Sequence, residues 1–167
     1  PSTPMMHLLD LGHIRSIDWV IDAAPKLKPD QAARVYGHLI DLSGNSDSPA
    51  ETIAQAVRAV SKLYAIDPSQ VFDRLKNAED DGMVQQTILL GLLDSRSPQI
   101  AEAAAAIPRR GPGRADSLAL LLIAKSSPTL SDDDRRALGI IASGGGRLSD
   151  ALQVQAAWMY LKHTGQV

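Results

Sequence analysis

With 167 residues, 44% of them hydrophobic and 22% charged, the chain has ordinary globular composition and is long enough to bury a core unaided. A net charge of -2 and 4% aromatic residues offer neither long-range attraction to polyanions nor stacking platforms, so nucleic-acid binding is not expected. The absence of cysteine excludes disulfides, thiol catalysis, iron–sulfur clusters and cysteine zinc sites, and leaves cytoplasm and periplasm equally open.

Helix starts recur along the chain, each a capping residue followed by proline or acidic residues and then an apolar run at helical spacing. Ser16 is placed to cap a helix carrying Ile17, Val20 and Ile21, and Pro29-Asp30 opens a second, with Ala33, Tyr36, Leu39 and Ile40, that ends at Gly44. Ser48-Pro49-Ala50-Glu51 combines an N-cap serine, a first-turn proline and a glutamate able to reach back to the cap amide. Val57, Val60 and Leu63 follow as its stripe. Asp67-Pro68 starts a helix with Val71, Phe72 and Leu75 inward, and the Asp80-Asp81-Gly82 break leads into the apolar segment 83–93.

Ser97-Pro98 repeats the start signal ahead of 100–107. The run Pro108-Arg109-Arg110-Gly111-Pro112-Gly113 must be irregular, because prolines and glycines interrupt a helix interior. Helix resumes over 118–123, apolar almost all round, so Leu121 and Leu122, like Leu89 and Leu92 before them, are expected in the core. Pro128 and Ser131-Asp132-Asp133-Asp134 open another helix, with acids where the dipole is positive, and Gly144-Gly145-Gly146 stops it. A last helix runs over about 148–163 and closes at Gly165. The longest apolar stretches, 88–93 and 118–124, fall far short of the roughly 18 residues of a membrane span.

No segment alternates apolar and polar residues with β-branched or aromatic enrichment, so the expected fold class is all-α. Starts near 16, 29, 48, 67, 82, 97, 114, 131 and 148 place alternate helices about 30 to 38 residues apart, the period of stacked antiparallel helix pairs in an α-α superhelix. A compact irregular helical bundle is the alternative. In this spacing, over 16–163, the chain resembles the HEAT-like and tetratricopeptide-like α-α superhelical repeat families. The tetratricopeptide Trp, Leu-Gly and Tyr signature is not found, so no family binding residues carry over. The resemblance implies a solenoid surface that docks another protein. The whole of 1–167 is expected to form one helical-repeat domain, and Pro1-Ser2-Thr3-Pro4 without a methionine points to a piece of a longer chain.

His7, Asp10 and His13 could be imagined as metal ligands, but on a helix His7 and His13 point to different faces, and capping or surface histidines are the simpler account. Arg109, Arg110 and Arg114 flank two glycines and could hold an anion through guanidinium forks and backbone amides. The lysine and hydroxyl of a nucleotide loop are missing, and a solvated connector explains the loop equally. Asp80-Asp81 and Asp132 to Asp134 stand at helix N-termini, where the dipole accounts for them without catalysis. No nucleophile, base and orienting acid assemble from spacing, and no catalytic residue, metal or cofactor is assigned.

On the last helix, 100° per residue sets Leu148, Leu152, Ala156 and Met159 in one arc of about 80° and Ala151, Val154, Trp158 and Leu161 in another. Two apolar faces need two coverings, which makes Trp158, Val154 and Leu161 the candidate contacts for a protein partner or for self-association. The function indicated is a non-enzymatic interaction or scaffold domain. Its rival is a small α-helical enzyme or ligand-binding domain with a pocket between helices.

Overall fold

A computed structural model describes residues 4–7, 14–109 and 113–165. Among the described residues the protein is all-α, with no strand. In chain order the helices are α1 (Ile14–Ala23), α2 (Pro29–Leu42), α3 (Ala50–Ile66), α4 (Pro68–Asn77), α5 (Met83–Leu92), α6 (Pro98–Ala105), α7 (Arg114–Ser126), α8 (Asp132–Ile140) and α9 (Asp150–Thr164), with a 3-10 turn at Ala24–Lys26 and a π turn at Ile141–Gly145. The chain forms two compact units, Pro1–Gly91 and Leu92–Val167. Their boundary falls inside the last turn of α5. No helix among the described residues is long and apolar enough to cross a membrane.

In the first unit α2 lies along α3, and α1 and α4 also pack on α3. The helical period explains this arrangement: Ile17, Val20 and Ile21 of α1, Tyr36, Leu39 and Ile40 of α2, and Val60 and Leu63 of α3 all recur at spacings that share one face, and all are buried. A Cβ on Gly91 would run into the Val60 side chain and the Val57 carbonyl, so glycine here lets α5 approach the α3 backbone closely. In the second unit α7 packs on α6, α8 and α9. Leu118, Ala119, Leu120, Leu121, Leu122, Ile123 and Ala124 are all buried, the burial on every side that an all-round apolar helix requires.

Several helix starts follow the sequence closely. The hydroxyls of Ser97 and Ser131 accept hydrogen bonds from the amides of Ile100 (3.2 Å) and Asp134 (3.1 Å), and Pro68 and Pro98 occupy first-turn positions whose missing N–H costs no bond. Gly165 adopts φ 72°, a left-handed closure for α9.

Two expected caps are corrected. Ser16 lies inside α1, which begins at Ile14. Ser48 does not cap α3: Pro49, extended at φ -68° and ψ 159°, takes the N-cap place. The Ser48 hydroxyl turns back and donates to the Leu42 carbonyl at 2.6 Å, across the α2–α3 connection. Pro49 thus shifts the helix start by one residue, and Ser48 becomes a clasp on the preceding helix end.

Candidate functional site

The last helix is held by one face and leaves the other open. Ser149 accepts from the Leu152 amide at its start, at 3.5 Å, and Ala156 and Met159 are buried toward the core of the second unit. The His163 ring nitrogen Nε2 lies 2.7 Å from the Ala124 carbonyl oxygen, so that nitrogen carries a proton and donates it to the end of α7. Lys125 donates to the Leu93 carbonyl at 2.6 Å and to Gln155 Oε1 at 3.3 Å, joining the end of α5, α7 and α9. Burial holds the Lys125 ammonium below its ordinary pKa, helped by Arg96 and opposed by Asp94. On the remaining flank Gln153 donates to the Ala142 carbonyl, and the Tyr160 ring lies where a side chain on Gly139 would sit.

Turned away from these anchors is the second apolar arc. Val154 is 69% exposed and Trp158 54% exposed, one helical turn apart. Ala151 is exposed and Leu161 half-buried. No charged residue occurs between Asp150 and Lys162, so the exposed stripe has no solubilising charge of its own along its length. On the Tyr160 flank of α9, away from the stripe, a shallow cleft of about 590 Å³, lined by Arg136, Ile140, Ala142 and Tyr160 among others, runs along the π turn. Ile140, at the edge of this cleft, is 61% exposed. Sequence reasoning missed Ile140, although it stands about 200° around α8 from the buried Leu138 and so on the outer side of that helix.

The other sequence-derived candidates separate. Arg109 forms an ion pair with Asp134 in the first turn of α8, which commits one guanidinium of the proposed anion loop to a carboxylate already present. Arg114 opens α7, and its Nε is buried with no acceptor among the described residues. Arg110 lies outside the described residues. Asp132 and Asp133 pair with Arg135 and Arg136 along the α8 surface. His7 is exposed, while Asp10 and His13 lie outside the described residues. Among the described residues no group of three or more metal-ligating side chains comes together.

In the first unit a cleft of about 360 Å³ is lined by Asp41, Arg74, Asn77, Glu79 and Met83, among others. Arg74 Nε donates to Asp41 at 3.1 Å, and its NH1 reaches the Gln70 carbonyl, so the guanidinium is already engaged by the protein. Trp19, on the outer side of α1, is 54% exposed and stands beside the acids Asp18 and Asp22. It was legible as an outward residue, since it falls on the opposite side of the helix from Ile17, Val20 and Ile21. Compared with known proteins, the chain matches no family model, no curated protein and no solved structure.

Proposed function

We propose that this chain is a non-enzymatic protein–protein interaction or scaffold domain whose contact surface is the outer stripe of α9. The observation that carries this is the exposure of Val154 and Trp158 on a helix whose opposite face is already buried. Large exposed aromatics on a rigid, capped helix are the kind of anchor from which binding energy is drawn, since they bury much area and lose few rotamers on association. The stacked helix-pair spacing of the sequence supports the same reading, because helical repeats offer extended surfaces.

The test is a photo-crosslinking residue placed at Val154 in the full chain. Its adducts should map to one partner surface and disappear when Trp158→Glu is added, while the same crosslinker at the exposed Glu102 should give none of them. A purified chain that turns over a substrate, or adducts indifferent to Trp158→Glu, would overturn the proposal.

A further inference from the structure

We infer that the partner of the α9 stripe is an acidic amphipathic helix of another protein, its apolar seam laid on Val154 and Trp158 and its carboxylates set against Lys162 and Lys125. This rests on the interaction reading above and names the chemistry of the occupant. Ala151, Val154, Trp158 and Leu161 follow one another at intervals of three, four and three residues, the spacing at which one helix receives the side chains of another.

Charge selects the kind of helix. At 100° per residue Gln155 and Lys162 fall within about 20° of each other, on one flank of the stripe. Gln155 stands three residues before Trp158 and Lys162 four after it, so both border the indole. Gln155 brings a second cation to this flank, because its Oε1 accepts from the Lys125 ammonium at 3.3 Å. Arg96 lies close enough to Lys125 to act on its charge, with Asp94 as the opposing carboxylate. Among the described residues none of Arg96, Lys125 and Lys162 forms an ion pair, and Lys125 donates to neutral oxygens, those of Leu93 and Gln155. Elsewhere in the same unit Arg109, Arg135 and Arg136 each hold an aspartate. No acidic residue follows Asp150 in the sequence, and Asp150 itself lies about 120° around the helix from Lys162, on the far flank. Uncompensated positive charge therefore gathers beside Trp158, where a partner's carboxylates would pair with it while the partner's apolar seam covers the indole. An anionic lipid surface shares the negative sign but would meet the whole stripe at once, and it would press against Asp150, one turn from Val154. A helix can answer each flank with a different residue, so the arrangement favours a protein.

The test uses the full chain carrying Trp19→Phe, in which Trp158 is the only tryptophan. It is titrated with two synthetic helical peptides that share one leucine seam, the first flanked by glutamates and the second by lysines. The glutamate peptide should move the Trp158 emission to shorter wavelength and saturate, and the lysine peptide should bind at least about tenfold more weakly. Added salt should weaken the glutamate peptide. Lys162→Glu should cost that peptide about tenfold and Lys162→Gln less, both with unchanged helix content because the side chain is exposed. Equal affinity for the two peptides, tighter binding of the lysine peptide, or no shift with either overturns the inference. So does a shift with phosphatidylglycerol vesicles in a chain that ignores both peptides, which would make the stripe a lipid contact. The crosslinks from Val154 judge the interaction reading separately. Adducts that vanish with Trp158→Glu but ignore Lys162→Glu leave that reading standing and overturn the acidic partner, whereas adducts indifferent to Trp158→Glu sink the two together.

Discussion

Two serines one residue ahead of a proline do different work in this protein. Ser97 accepts a hydrogen bond from an amide of α6, whereas Ser48 donates one to the Leu42 carbonyl. A carboxylate can accept but cannot donate, so Ser97→Asp should leave stability nearly unchanged, and Ser48→Asp should lose about 1 to 3 kcal/mol, more than Ser48→Ala. Urea midpoints of the three variants check this, and equal losses for the two aspartates would mean that Ser48 is a cap after all. Asp67 gives a second expectation. Hydrogen bonds from Ser69 and Gln70 hold its carboxyl below the ordinary aspartate value of 3.8. The folded state therefore binds this proton less readily than the unfolded chain, and the contribution is present above 3.8 and lost as pH falls through the folded value. Asp67→Asn should lower the urea midpoint at about pH 6 and converge on the wild type at acid pH. At this scale residue types were legible while hydrogen-bond direction was not: Ser48-Pro49 and Ser97-Pro98 read alike, and only the packing of the preceding helix end supplies Leu42 as an acceptor.

At the level of elements, burial follows the helical period so closely that most of the core could be read directly. Leu89, Leu92, Leu121 and Leu122 are fully buried, as their all-round apolar segments require. Leu121→Ala should cost about 2 to 5 kcal/mol, the transfer of the lost side chain plus the cavity it leaves. A loss below about 1 kcal/mol would mean that α7 collapses around the deletion. Gly91→Ala fails for the opposite reason, by overpacking against Val60, and should cost about 1 to 3 kcal/mol in the same measurement. The π turn is the element that period alone could not give. Its Gly144 sits at φ 101°, a left-handed geometry inside the turn that glycine adopts without a Cβ clash. The two arcs of α9 were legible from the wheel, but which one the protein covers depends on how α7 and α8 pack against it.

For the whole molecule, the two tryptophans fall one in each unit, Trp19 in the first and Trp158 in the second. Trp19→Phe and Trp158→Phe therefore leave one fluorescent reporter apiece. Each variant's urea midpoint should report the unit that keeps its tryptophan. Separate midpoints would establish two independently melting units. The burial of α7 on all sides has a further consequence in time. Surface helices such as α9 can release amide protons to water turn by turn, but the amides of 118–124 have no local route to solvent. In deuterium their exchange clock runs only when the second unit opens as a whole, so its slowest amides read that unit's stability directly, while the first turn of α9 reports only the fraying of its own end.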